Sequence, residues 1–314
     1  MIAALPPAPD LGFHLHPEVI VVTSVLLVGY FYALRRWGPL FHPRPDDPPA
    51  TRKQKVLFVS GVATYYLAVG WPLHDIADYY LYSGHMVQHV LLGYLAPPLL
   101  LLGTPEWLGR LVLGRGAIGR AYRRLTRPLI AAVLVNVAIA FIHWPLVVEW
   151  MVLNEAFHVA THLLLFGTAL LAWSVLWSPL PEVRDQLGDP GKMLFIFTMT
   201  LLPTIPASFL TFGETPLYPI YAETPNLYGL SPRDDMQLAG LIMKSGVGLV
   251  LWIVIAVMFF RWAGREGALA PGGRPPAGGA DVPAPTAPGP VAPDDGDDRG
   301  DRPPRQRPYP GARP

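Results

Sequence analysis

Two pairs of histidines, each with three residues between its members, are the residues of this sequence best suited to chemistry. His85 and His89 lie in SGHMVQHVLLGYLAPPLLLL, and His158 and His162 lie in NEAFHVATHLLLFGTALLAW. Residues four apart share one face of a helix, so each pair can chelate one ion or ligate two adjacent ions. Neutral imidazole binds copper, zinc, iron and nickel well. The pairs therefore predict a metal site on two helices.

The composition places these helices in a membrane. Of the 314 residues, 51% are hydrophobic and 15% are charged, and the mean hydropathy is +0.32, which is too apolar for an ordinary soluble protein. The absence of cysteine excludes disulfides, thiolate metal sites and a catalytic thiol. The first residues lack a basic stretch followed by an apolar core and a cleavage site, so we expect no removable signal peptide.

Seven apolar segments are long enough to span as helices, which predicts an all-α integral membrane protein with a seven-transmembrane-helix bundle. The expected domains are a short extracytoplasmic segment (1–17), a membrane domain (18–266) and a disordered tail (267–314) rich in Pro, Gly, Asp and Arg. The connection 213–235 contains tyrosines and prolines and is predicted to form an ordered lid over the bundle. The predicted spans cover about residues 18–36, 56–73, 84–102, 128–150, 156–177, 193–212 and 237–261.

Basic residues set the expected orientation of the bundle. Arginine and lysine cluster in the connections after the first, third and fifth segments and at the start of the tail, whereas Arg233 is the single basic residue of the other side. By the positive-inside rule, the N-terminus is expected outside and the C-terminus in the cytoplasm, in a multi-pass protein of the plasma (inner) membrane. Eight of the nine histidines then belong to the outer side, and only His42 lies inside.

A fifth histidine lies at a depth similar to that of the pairs. His143 is expected on the fourth helix about seven residues, or ~10 Å, from its outer end. Five buried imidazoles without a ligand would all need hydrogen bonds in a low-dielectric setting, which makes metal ligation the simpler interpretation. The predicted metal ligands are His85, His89, His143, His158 and His162. The residues predicted to lie near them are Met86, Gln88, His74, Asp235, Met243 and Lys244, with Asp235 a candidate partner for the Lys244 ammonium.

Three stretches of the sequence resemble one family of membrane proteins. GHMVQHVLLGYLAPPLLLLGTP, NEAFHVATHLLLFGTALLAW and DDMQLAGLIMKSG are similar to the seven-helix CtaG-type cytochrome c oxidase assembly factors. The similarity covers about residues 18–262, which is the membrane part without the tail. The family's motifs correspond here to His85, Gln88, His89, His158, His162 and the segment from Asp235 to Lys244.

The resemblance implies a role in assembling haem-copper oxidases through the supply of copper. Together with the histidines, it leads us to expect a non-enzymatic assembly factor that binds copper and passes it to an oxidase subunit in the same membrane. The expected surroundings are the lipid bilayer and the oxidase, with no nucleic acid and with a homo-oligomer left open.

Other functions remain compatible with the histidines. A copper importer is an alternative, because an outer histidine cluster is equally suited to capturing copper for passage. A haem-binding or di-iron membrane oxidoreductase is a further alternative. Haem needs one axial histidine from each of two helices, so each pair would leave a spare histidine, and membrane di-iron enzymes need additional clusters such as HxxHH.

The expected orientation can be tested with reporter fusions. Fusions at about residues 45, 118 and 290 should report the cytoplasm, and fusions near residues 78 and 222 should report the outside, because basic loops are retained inside. The measurement is the activity of paired reporters that work on opposite sides of the membrane. An outside signal at residue 290 would contradict the placement of the histidines at the outer face.

Overall fold

The computed structural model describes residues 12–42, 47–223 and 228–269, and these residues form helices without a strand. Their helical content agrees with the predicted all-α class. The predicted N-terminal segment lies outside the described residues up to residue 11, and the predicted disordered tail lies outside them from residue 270.

The helices begin and end close to the predicted segments. Two π-helical turns, Leu91–Leu95 and Ile242–Gly246, each join two consecutive α-helices, and a short 3₁₀ helix covers Pro219–Glu223. The α-helices of the described residues are α1 (Pro17–Arg36), α2 (Gly38–Phe41), α3 (Arg52–Val69), α4 (Leu73–Tyr79), α5 (Tyr82–Val90), α6 (Ala96–Gly103), α7 (Glu106–Leu113), α8 (Gly116–Leu125), α9 (Pro128–Ile142), α10 (Pro145–Leu153), α11 (Glu155–Trp177), α12 (Pro181–Arg184), α13 (Asp189–Phe212), α14 (Pro232–Leu241) and α15 (Val247–Leu269).

Among the described residues, six helical units are long and apolar enough to cross a membrane. They are α1, α3 with α4, α5 with α6, α11, α13, and α14 with α15. A seventh span results if α8 and α9, which meet at a bend of 80°, are taken together. The protein therefore has the helices of a multi-pass membrane protein, with six or seven candidate spans.

The predicted fourth segment, 128–150, is interrupted near its middle. α9 ends at Ile142 and α10 begins at Pro145, because a proline has no N–H to continue the helical hydrogen bonds and its ring pushes the preceding residue out of the helical region. Trp144 is accordingly extended, with φ −70° and ψ 131°. His143 therefore lies at the end of α9, and not inside a long helix as predicted.

The candidate spans alternate in direction, so the two ends of the bundle collect different residues. At one end, the ring of His16 before α1 lies 4.8 Å from that of His74 at the start of α4. At the other end, the Tyr30 hydroxyl near the end of α1 donates to the carbonyl of Gly103 at the end of α6, at 2.9 Å. We call the first the histidine end and the second the basic end. Which end faces outside remains the prediction made from the basic residues.

A proline and a tryptophan fix the third and fifth spans against each other. Pro97 in α6 has no N–H, so it cannot donate to the carbonyl of Gly93 one turn earlier. The indole N–H of Trp173 in α11 donates to that carbonyl instead, at 2.9 Å, and Trp173 is fully buried. Because α5 and α11 carry the two histidine pairs, this bond holds both pairs in one register.

Asp235 fixes the start of α5. Its buried carboxylate accepts hydrogen bonds from the backbone N–H groups of Tyr82, at 2.7 Å, and Ser83, at 3.1 Å, and from the Ser83 hydroxyl. These are unsatisfied donors at a helix N-terminus, where a carboxylate is also favoured by the helix dipole. The predicted pairing of Asp235 with Lys244 is therefore wrong, because the Asp235 carboxylate accepts hydrogen bonds from the first residues of α5.

Replacing Asp235 with alanine should lower the free energy of unfolding by roughly 2–4 kcal/mol, because it leaves the buried donors at the start of α5 without an acceptor. Thermal unfolding of the detergent-solubilised protein measures the change. Asp234→Ala is the matched control, since the neighbouring Asp234 is exposed and its carboxylate accepts only from Ser231 in the same turn. Equal losses in the two variants would contradict the anchoring role of Asp235.

Candidate metal centre

The structure brings the five predicted histidines together at the histidine end of the bundle. His85 and His89 lie on α5, His158 and His162 on α11, and His143 directly after α9. All five side chains are buried, with between 1% and 8% of each residue exposed. Three candidate spans that are distant in sequence thus contribute to one imidazole cluster.

Three of these histidines could hold a metal ion between them. Each of His85, His158 and His162 offers a ring nitrogen, and the three nitrogens lie within 4.8 Å of one another. The Nε2 atoms of His158 and His162 are 3.2 Å apart, and neither ring nitrogen of His85 has a hydrogen-bond partner. We call these residues the histidine triad. Their nitrogens are close enough together to be ligands of one ion, with His85 from one predicted pair and His158 and His162 from the other.

The carboxylate of Asp78 lies beside the histidine triad. One carboxylate oxygen lies 3.2 Å from Nδ1 of His158 and 3.5 Å from Nδ1 of His74, and the other lies 4.0 Å from Nδ1 of His85. A carboxylate that accepts from Nδ1–H leaves Nε2 free to bind a metal. Asp78 was not among the predicted site residues, although its position four residues after His74 on one helix is the signal that could have identified it.

A cavity leads from the histidine end to the triad. It has a volume of about 180 Å³, and its lining includes Asp78, Glu155 and Tyr221 together with His85 and His158. Two carboxylates line a path to two imidazoles, and carboxylates raise the local concentration of cations. The cavity therefore gives a metal ion a route to the buried triad.

The lid predicted for 213–235 is ordered where the structure describes it, that is, outside 224–227. Tyr218 is 2% exposed, its hydroxyl donates to the backbone carbonyl of His143 at 2.9 Å, and its ring lies 4.8 Å from that of Tyr82. The connection thus packs on the break after α9 and on the start of α5.

The remaining two histidines lie beside a separate, smaller cavity. The rings of His89 and His143 are 5.3 Å apart, and both line a cavity of about 20 Å³ with Met86 and Met243. Nδ1 of His143 lies 2.8 Å from the carbonyl of Ile139 and donates to it, which leaves Nε2 as the nitrogen available for a ligand. We call this group of two histidines and two methionines the thioether pocket.

Gln88 and His74 have partners that hold the helices around the triad. The amide nitrogen of Gln88 donates to the carbonyl of Ala68 in α3, at 2.8 Å, and lies 3.4 Å from Nδ1 of His74. The ring of His74 lies 6.3 Å from that of His158. Both side chains therefore border the cluster and connect α5 to the second candidate span.

Lys244 lies on the surface of the bundle and not among the histidines. Its side chain is exposed, and its ammonium lies 5.6 Å from the centroid of the Phe212 ring at the end of α13. A lysine at this level extends its charge along the apolar surface towards the interface, as snorkelling side chains do. The adjacent Met243 is buried and lines the thioether pocket.

Comparison with known proteins identifies the family to which the chain belongs. The sequence model of the cytochrome c oxidase caa3 assembly factors (Caa3_CtaG) matches residues 28–265, which contain every histidine of the cluster. The chain belongs to this family. The comparisons with curated proteins and with solved structures gave no match.

The donors and the cavities of this family member favour a bare ion over a large cofactor. Its triad offers three imidazoles, a set that suits copper, zinc, iron or nickel. The cavities that reach the histidines have volumes of about 180 and 20 Å³, below the ~300–1,000 Å³ typical of sites for organic cofactors. The haem alternative would need a larger space between the helices.

Replacing Asp78 with alanine should weaken metal binding by about 10- to 100-fold, because the carboxylate that orients His158 is lost while all three ligands remain. Titration of the purified protein with Cu²⁺ against a competing chelator measures the affinity. Asp75→Ala is the matched control, since the buried Asp75 contacts His14 at 2.8 Å and His16 at 3.1 Å instead of the triad. Unchanged affinity in the Asp78 variant would contradict its orienting role.

Proposed function

We propose that this protein is a copper-binding assembly factor for a haem-copper cytochrome c oxidase. In this proposal, copper enters through the carboxylate-lined cavity, binds at the histidine triad, and passes to an apo-oxidase subunit in the same membrane. The observation that supports it most directly is the convergence of three buried imidazoles in a chain of the oxidase assembly family. Copper is thus a cargo, and the protein acts without catalysing a reaction.

The unpartnered nitrogens of the cluster support metal binding over a purely structural role. Both ring nitrogens of His85 and of His89, and Nε2 of His143, are buried without a hydrogen-bond partner. A buried polar atom without a partner lowers the free energy of unfolding by about 1–3 kcal/mol, so five such atoms in one region would strongly destabilise a purely structural core. A bound ion would satisfy these atoms through coordination.

The chemistry of the donors supports copper among the possible metals. Imidazole sites bind Cu²⁺ more tightly than the other divalent first-row metals, and thioether sulfur favours Cu⁺. Thioethers lie next to the imidazoles of the cluster: Met151 lines the cavity to the triad, and Met86 and Met243 line the thioether pocket. A haem-copper oxidase needs copper as well as haem, so the cargo agrees with the family's role in its assembly.

The position of the cluster supports delivery at one face over passage through the membrane. An importer would need ligands that continue from the cluster to the basic end. Among the described residues, α6 runs from the cluster towards the basic end with the sequence APPLLLLG, which contains no histidine, methionine or carboxylate. The histidine of the basic end is His42. The cluster thus resembles a loading site at one face, proposed to be the outer face of the plasma membrane.

Substitution of one ligand tests the proposed function. His162→Ala should lower both the copper content of the purified protein and the yield of active oxidase, because the triad loses one of its three nitrogens, while the protein still inserts at its normal level. The measurements are copper per chain, protein abundance in membranes and oxidase activity. His42→Ala is the matched control and should leave all three unchanged.

Two results would contradict the copper proposal. Wild-type copper content and oxidase yield in a His85→Ala, His162→Ala double variant would show that the triad does not carry the function. A parallel loss of protein abundance and oxidase, with the copper content per chain unchanged, would instead assign the histidines a structural role. Import is distinguished by cellular copper, because loss of an importer lowers total copper in the cell as well as in the oxidase.

A further inference from the structure

The thioether pocket is a distinct group of donors that lies deeper in the bundle than the triad. His89 lies one helical turn beyond His85 on α5, which is a displacement of ~6 Å along the helix. Its ring contacts three other imidazoles, with ring centroids 4.4 Å from His85, 5.5 Å from His162 and 5.3 Å from His143. His89 therefore stands between the triad and His143.

The polar atoms around this pocket lack partners. Both ring nitrogens of His89 and Nε2 of His143 are buried without a hydrogen bond. The cavity between them has a volume of about 20 Å³, which is about the space that one water-sized particle occupies. The pocket thus combines unsatisfied nitrogen donors with room for a single small ligand.

Two thioethers complete the lining. Met86 is 1% exposed and Met243 is 5% exposed, and both line the cavity together with the two imidazoles. The rest of the lining is mainly apolar and includes Val90, Ile139 and Leu165, with no carboxylate. Soft sulfur donors and a low charge favour Cu⁺ over Cu²⁺ and Zn²⁺, which prefer harder or charged ligands.

Irregular backbone brings these donors to the cavity. The π-helical turn Leu91–Leu95 follows directly after α5, and the turn Ile242–Gly246 contains Met243 itself. Tyr94 from the first turn and Val247 after the second also line the cavity. π-helical turns inside helices are rare and are frequent at functional sites, so their meeting here is a second observation that points to a ligand.

We infer that the thioether pocket is a second copper site, specific for Cu⁺, with His89, His143, Met86 and Met243 as its donors. The inference rests on the proposed function only in taking copper as the cargo. The ion reaches the pocket from the triad by ligand exchange at His89: a bond from copper to an imidazole of the pocket forms as a bond to an imidazole of the triad breaks. Copper that arrives at the triad as Cu⁺ stays Cu⁺ throughout this exchange, so the exchange needs no electron donor.

Loading of the purified full-length protein with Cu⁺ under anaerobic conditions tests the second site. The wild-type protein should bind about two copper ions, and X-ray absorption at the copper edge should show both nitrogen and sulfur neighbours. A Met86→Leu, Met243→Leu double variant should keep one ion and lose the sulfur signal. Leucine has nearly the volume of methionine, so this change preserves the packing of the bundle.

A control variant and a complementary variant make the result specific. Met199→Leu replaces another buried methionine, which lies on α13 outside the pocket lining, and should leave both ions and the sulfur signal unchanged. A His158→Ala, His162→Ala variant should lose the ion of the triad and keep one ion with sulfur neighbours. Together, the two double variants assign each ion to its own donors.

Each contrary result identifies which proposal fails. One ion without sulfur neighbours in the wild-type protein, or a sulfur signal that survives the Met86→Leu, Met243→Leu change, would overturn the second site and leave copper binding at the triad intact. Absence of bound copper from the wild-type protein would overturn the second site and the proposed function together. A thermal unfolding curve for each variant confirms that it remains folded.

Discussion

The structure depends on one constraint: a polar group buried in an apolar bundle must have a partner. The carboxylate of Asp235 meets this constraint for the amides at the start of α5, and the indole of Trp173 meets it for the carbonyl that Pro97 leaves without a donor. The hydroxyl of Tyr218 does the same for the carbonyl of His143 after the break in α9. These bonds join segments that are far apart in sequence, and each of them positions an element that carries a histidine.

The imidazole cluster is where this constraint is relaxed. The helices around it are held by satisfied polar groups, yet the nitrogens of His85 and His89 have no partner in a protected interior. A rigid surround with unsatisfied donors at its centre is the arrangement that an ion can complete without reorganising the fold. The carboxylate of Asp78 lies beside the triad and also lines the cavity at the histidine end.

The sequence by itself determined the apolar helices, the spacing of the histidines and the family. Helical spans follow from the length of an apolar run, and four-residue spacing follows from the turn of a helix, so both are local properties that a sequence carries openly. The two histidine pairs were therefore predicted to be ligands from their spacing, and the structure places both pairs in one buried cluster. The resemblance of three stretches to the oxidase assembly factors was confirmed over most of the membrane part.

Only the tertiary structure decided which side chains meet. It placed Asp78 beside the triad, and it paired the carboxylate of Asp235 with the start of α5 and not with the Lys244 ammonium. It also placed Lys244 on the surface, while the adjacent Met243 lines the thioether pocket. It also separated His89 and His143 from the three nitrogens that converge most closely. These outcomes depend on the rotation of each helix about its axis and on local breaks such as that before Pro145. Packing between distant segments sets that rotation, and the hydropathy of a single segment, nearly uniform around the helix, does not encode it.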